Sequence, residues 1–194
     1  VDPGRYYLNN VGASLTLIEA ARQAQTPLIF SSSAAVYGHP AEALIPESHP
    51  LAPLSPYGHS KRMIEQVIAD YGHAYGMRYA LLRYFNAAGA EPDGSHGEDH
   101  RPENHIIPLV LEVPLRKRAM IKVFGDDYPT PDGTCIRDYV DVRDIARAHV
   151  VGLDALAAGS HAGGTFNLGH GRGHSVLEVV RACENVTGRK IPME

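Results

Sequence analysis

The chain has 194 residues, 44% hydrophobic and 21% charged, the balance of a folded globular protein, and at this length a core forms without disulfides or a structural metal. Eighteen Lys and Arg against 22 Asp and Glu leave a formal net charge of −4, with no broad basic face for nucleic acid or anionic lipid. The longest apolar runs fall far short of the ~20 residues that cross a bilayer, and Cys135 and Cys183 without CxxC spacing read as two buried free thiols of a cytoplasmic protein.

Val11 to Gln25 sets Val11, Leu15 and Ile18 on one helical row, and Pro27 stops it. Leu28-Ile29-Phe30 is a short apolar run suited to a strand buried on both faces, so Ser31-Ser32-Ser33 falls at a strand's carboxyl end. A Pro-rich loop from His39 to Pro53 follows. Ser55-Pro56 then supplies an N-cap and first-turn proline for a helix to about Tyr75, closed by Gly76. Tyr79 to Phe85 reads as the next buried strand, and a polar stretch runs from Asn86 to Arg101. Ile106 to Arg118 is helix-like despite two prolines, Met120 to Phe124 strand-like, and Gly125 to Gly133 rich in turn residues. Asp141 can cap a helix with Ile145, Ala148, His149, Gly152 and Leu156 down one face. Thr165 to Leu168 is another strand, and Ser175-Val176-Leu177-Glu178 fits a capping box before a helix ending near Gly188. Helices alternating with short apolar strands predict an α/β fold with a parallel sheet, with function at the strands' carboxyl ends.

Tyr57 and Lys61 are four apart on the second helix, and Ile64, Ile68 and Tyr71 continue their face within about 40°. Lys61 is the one charge in that arc, while Arg62, Glu65, Gln66 and Asp70 are expected on the watered side. An amphipathic helix whose lysine snorkels past a core tyrosine explains the spacing alone. A phenol, however, becomes a base at neutral pH only if its anion is stabilised by about 4 kcal/mol, and a nearby ammonium and a helix N-terminus both act in that direction. Serines ending an adjacent strand can complete a Ser, Tyr and Lys set.

Ser31-Ser32-Ser33-Ala34-Ala35-Val36-Tyr37-Gly38, Ser55-Pro56-Tyr57-Gly58-His59-Ser60-Lys61, Arg83-Tyr84-Phe85-Asn86 and Arg137-Asp138-Tyr139 together resemble the ordered signature of the extended short-chain dehydrogenase/reductase family, and within it the UDP-glucose 4-epimerases. The resemblance spans nearly the whole chain. It implies a partial Rossmann-type parallel sheet over residues 1–86, lacking the first Gly-rich βα unit. Residues 87–194 would form part of a smaller substrate-binding α/β domain, incomplete at its C-terminus, with some elements returning to the main sheet. It implies an isomerase with NAD as resident cofactor and a UDP-hexose as substrate, epimerised at C4 through a 4-keto sugar.

By resemblance, Tyr57 is the acid/base, Lys61 lowers its pKa and holds the nicotinamide ribose, and Ser33 bonds the substrate oxygen. Asn9, Ser32, Tyr84 and Phe85 match further cofactor contacts. Asn86, His105, Ile106, Lys122, Val123, Phe124 and Arg137 match contacts to the UDP-sugar, Arg137 as a diphosphate clamp, although the family's usual residue at His105 is asparagine. Arg137-Asp138 also reads as a surface ion pair, and Tyr84-Phe85 as core. A homodimer is implied through the helices at Val11 and Tyr57. Metal is not expected: His96, Glu98, Asp99, His100 and His105 lack paired ligand spacing. Gly169-His170-Gly171-Arg172-Gly173 has the wrong spacing for a dinucleotide loop and suffices as a turn. The start at Val1 and the missing Gly-rich unit suggest an internal fragment that, alone, neither carries NAD nor epimerises. A nucleotide-sugar 4,6-dehydratase is the nearest alternative, but Ala34 and Ala35 stand where its extra acid and base belong. A non-catalytic nucleotide-sugar-binding or oligomerisation module is the other.

Overall fold

A computed structural model describes residues 2–40, 42–160 and 163–194. The chain divides into two compact units, Val1–Phe85 with Asp144–Gly169, and Asn86–Arg143 with His170–Glu194.

In the first unit, β1 (Leu28–Ser33), β2 (Tyr79–Tyr84) and β5 (Gly163–Leu168) form a parallel sheet in the order β1-β2-β5. The central strand is the continuous apolar one, with Ala80, Leu81 and Leu82 each 3% exposed, as a parallel strand covered on both faces requires. The odd and even positions of β2 feed different clusters. Leu81 packs with Ile18, Ile64, Ile68 and Met77, whereas Ala80 and Leu82 pack with Leu156. Helix α3 (Pro56–Tyr75) is bounded as its sequence dictates: Ser55 accepts the Gly58 amide at 3.1 Å, Pro56 opens the first turn, and Gly76 ends it at φ +67°. Burying Ile64 and Ile68 contributes roughly 2–3 kcal/mol each. On α5 (Val142–Ala157), Leu156 is buried and Ile145, Ala148, His149 and Gly152 half-buried, while Val150, Val151 and Leu153 are exposed.

The first helix starts earlier than the Val11 row predicts. α1 (Pro3–Tyr6) is capped by Asp2, continues through a π segment at Tyr7–Gly12, and runs on as α2 (Ala13–Gln23). Hydrophobic periodicity could not find that start, because the early turns are largely exposed and hold no buried residue.

In the second unit, β3 (Asn86–Ala88) lies parallel to β4 (Ile136–Asp141), which pairs antiparallel with β6 (Gly173–Ser175). The capping box forms: Ser175 and Glu178 exchange bonds at the start of α6 (Val176–Thr187), and Gly188 closes it at φ +64°. Val110, Val113, Ile121, Val179, Val180, Cys183 and Ile191 make the core. Two expectations change. Helix α4 is Ile106–Glu112, not a helix to Arg118, since Pro114 has no N–H to continue the ladder, whereas Pro108 falls in the tolerant first turn. Met120 to Phe124 makes a single parallel bridge, Ile121 with Met193, rather than a strand. Its amides at Ile121 and Val123 bond the carbonyls of Pro192 and Glu194. Both cysteines are free, Cys183 buried and Cys135 half-buried. Among the described residues no helix is long and apolar enough to cross a membrane.

Candidate active site

The carboxyl end of β1 and the first turns of α3 meet because nothing larger than glycine fits between them. A Cβ at Gly58 would lie 2.6 Å from the Ala35 carbonyl oxygen, in the 3-10 turn Ala34–Val36. This contact brings Tyr57, one residue earlier, against Ser33, whose backbone is still extended and whose hydroxyl accepts the Ala35 amide at 3.2 Å. The Ser33 hydroxyl faces the Tyr57 phenol closely enough to favour its anion. Tyr57 keeps 37% exposure, with Tyr6 edge-on at 6.3 Å.

Lys61 extends along the same helical face. Its Nζ donates to the Ser31 carbonyl at 2.9 Å and lies 4.8 Å from the Phe30 ring centroid and 5.7 Å from that of Tyr57. Burial pushes the phenol above its ordinary pKa, with Ser33 pulling the other way and Tyr84 and Tyr6 adding to the rise; burial also pushes Lys61 down. Beside it, His149 Nδ1 lies 2.8 Å from the Ile145 carbonyl, to which it donates, and Nε2 lies 3.1 Å from the Ser31 hydroxyl.

A second arrangement lies behind the first and was not foreseen. Glu65, expected in water, is 4% exposed. Its carboxylate takes Arg83 Nε and Nη2 at 2.8 and 2.6 Å and the Ser32 hydroxyl at 2.5 Å. Arg83, 4% exposed on β2, also donates to Tyr37 Oη at 2.9 Å, and Tyr37 to Asn167 Oδ1 at 2.6 Å. Glu65 stands only about 40° round the helix from Lys61, at the margin of the buried arc. The available signal was Arg83 itself, a guanidinium inside Leu81-Leu82-Arg83-Tyr84, which demands a buried partner.

Of the other expected cofactor residues, Asn9 is exposed in the π segment, and Tyr84 and Phe85 are half-buried at the end of β2. Ser32 is 1% exposed with its hydroxyl committed to Glu65, so its side chain is not offered to a ligand, contrary to expectation. The UDP-sugar residues other than Ser33 all belong to the second unit. Asn86 donates to the Asp138 carbonyl at 2.9 Å, and Ile106 packs on the core. Lys122 pairs with Glu194 at 3.5 Å, Val123 is half-buried and Phe124 is 84% exposed. Arg137 is exposed and bonds the Ile136 carbonyl at 2.8 Å, while the Asp138 carboxylate takes the His170 and Gly171 amides, so the two do not make the surface ion pair that their adjacency allows. His105 starts α4, bonds Glu98 and stacks on His100. Glu98, His100, Glu103 and His105 bring donor atoms within 4.8 Å of one another, a grouping that their sequence spacing did not suggest.

A profile of the NAD dependent epimerase/dehydratase family matches residues 1–169. The chain is 48% identical over 193 residues to a UDP-glucose 4-epimerase of Halalkalibacterium halodurans, covering 99% of this chain and 58% of that protein. The Brucella ovis UDP-glucose 4-epimerase in complex with NAD superposes with a TM-score of 0.95 at 47% identity, over 100% of this chain and 59% of that one. The Bifidobacterium longum enzyme in complex with NAD+ and UDP gives 0.88 at 40% identity, over 99% and 58%. The chain thus spans a little under three fifths of the length of these relatives.

Proposed function

Because the chain belongs to the NAD dependent epimerase/dehydratase family, we propose that it carries the acid/base machinery of a UDP-glucose 4-epimerase, an isomerase acting at C4 of a UDP-hexose. The observation that carries the reading is the convergence of Ser33, Tyr57 and Lys61 at the carboxyl end of β1. The relatives' printed activity and their NAD and UDP complexes support it. The residues fit the nicotinamide-ribose end of NAD. Of the three N–H donors of Lys61, Ser31 is the one hydrogen-bond acceptor among the described residues, leaving donors for ribose hydroxyls. Asn9, Tyr84 and Phe85 are the further cofactor contacts of this reading.

Bound NAD would supply a hydride acceptor and, with it, a positive nicotinamide ring. Tyr57 takes the proton of the sugar's 4-hydroxyl at its phenol oxygen and later returns it. Ser33 faces the same phenol and can hold the substrate oxygen in line. Lys61 keeps a cation within 5.7 Å of the ring, and the phenol stays above its ordinary pKa until a further positive charge offsets burial. Asn86, His105, Ile106, Lys122, Val123, Phe124 and Arg137 are proposed to hold the UDP moiety, Arg137 through its exposed guanidinium. Ala34 and Ala35 follow Ser33 with no acid or base, which disfavours the dehydratase.

A homodimer through the first helix and α3 is supported by Leu8, Leu17 and Tyr75, each at least 60% exposed on those elements. A cytoplasmic location is supported by the two free thiols. The test uses UDP-glucose carrying deuterium at C4, supplied with NAD to the protein that carries this chain. Formation of UDP-galactose retaining the label is expected; label lost to solvent, or no interconversion, contradicts the reading.

A further inference from the structure

Side chains on a strand alternate, so Ser31 and Ser33 face one way and Ser32 the other. Ser32 is 1% exposed, and its hydroxyl donates to Glu65 Oε1 at 2.5 Å. Arg83 holds that carboxylate by two bonds, of 2.8 and 2.6 Å, and is itself held by Tyr37 Oη at 2.9 Å. On β1, Ser32 stands between the carbonyl that receives Lys61 and the hydroxyl that faces the Tyr57 phenol. On α3, Glu65 is one turn past Lys61 and two past Tyr57. Every group of the proton-transfer set is therefore borne by one of two elements, and the buried Ser32–Glu65 bond fastens those elements together beneath it.

We propose that Ser32 and Glu65 are positioning residues: the carboxylate, fixed by Arg83, sets β1 against α3 so that Ser33 stays beside Tyr57 and the Ser31 carbonyl stays bonded to Lys61. The role rests on the reading of Tyr57 as the acid/base. It assigns Ser32 to the scaffold behind the site, and it explains why a carboxylate and a guanidinium are buried in a sheet that apolar residues would fill more cheaply.

The test is a coupling cycle read at the phenol. Tyr57 is faced by Ser33 from β1, Lys61 on its own helix, Tyr6 from α1 and Tyr84 from β2. Its pKa is measured by NMR of ring-labelled tyrosine, assigned with Tyr57→Phe, in the wild-type protein, Ser32→Ala, Ser33→Ala and the double variant. Ser33→Ala should raise the phenol pKa by about one, since a hydroxyl that favours the anion is lost. Ser32→Ala, which touches the phenol nowhere, should raise it comparably, and the double variant no further than Ser33→Ala alone. Ser32→Cys, similar in shape but a weak donor, should move it the same way by less, and it carries the cycle if the alanine variant does not fold. A melting temperature that falls while the phenol pKa stays fixed, or shifts that add in the double variant, overturns the proposal. Turnover of UDP-glucose by the protein that carries this chain is scored separately. Coupling without turnover overturns the epimerase reading and keeps the positioning role; turnover without coupling does the reverse.

Discussion

Glu65→Gln should destabilise the protein by about 3 kcal/mol, the lower end of the range for removing one partner of a buried ion pair. The pair is two-pronged, at 2.8 and 2.6 Å, and each side chain is 5% exposed. The amide keeps the volume and one acceptor oxygen but leaves the Arg83 charge out of water without a counter-ion, and no solvent is at hand to screen it. With a urea m-value of about 2 kcal/mol/M, the unfolding midpoint falls by about 1.5 M. Adding Arg83→Met removes the stranded charge, so the double variant should be more stable than Glu65→Gln. It should still lie about 1 kcal/mol below wild type, because Tyr37 loses a donor. Urea melts followed by circular dichroism and by the fluorescence of the ten tyrosines, in a chain without tryptophan, measure both variants. A Glu65→Gln cost under about 1 kcal/mol, or a double variant as unstable as the sum of the singles, would refute this reasoning.

Lys61→Met should move the rising limb of the kcat–pH profile to higher pH, since the phenol loses its nearest cation and ionises less readily; a limb that stays in place counts against the assignment. Arg137→Ala should weaken UDP-sugar affinity by about 1.5–3 kcal/mol while NAD occupancy is kept, as titration calorimetry would show; an unchanged Kd would leave the arginine a surface residue. Asp141 is held at about 2, against an ordinary 3.8, first by the Arg143 side chain and then by its amide. A depressed folded value means stability that is present above 3.8 and lost as pH falls toward 2, so Asp141→Asn should flatten the urea midpoint between those pH values. A variant that retains the wild-type slope would contradict that linkage.

Local chemistry made much of the fold legible. Ser55-Pro56 and Gly76 bound α3, Ser175 and Glu178 make their box, and the run at Tyr79 becomes the buried central strand. What failed depended on partners distant in sequence. Met120 to Phe124 has the composition of a strand, but its amides bond residues 192–194, which composition cannot show. The helix proposed for Ile106 to Arg118 followed periodicity past Pro114, where the missing N–H decides. At the site, the four-residue spacing of Tyr57 and Lys61 was readable because one helix carries both. Glu65 was misplaced for the complementary reason: its burial is decided by Arg83 on another element, and a helical wheel sees one element at a time.

The central claim is that Tyr57 moves the proton. It is tested most directly by single-turnover and steady-state kinetics of Tyr57→Phe in the protein that carries this chain, with UDP affinity measured alongside. Loss of the acid/base should lower kcat by about 10² or more, while UDP binds as in the wild type, because the phenol acts on the sugar rather than on the nucleotide. Near-wild-type turnover from the phenylalanine variant would contradict the account.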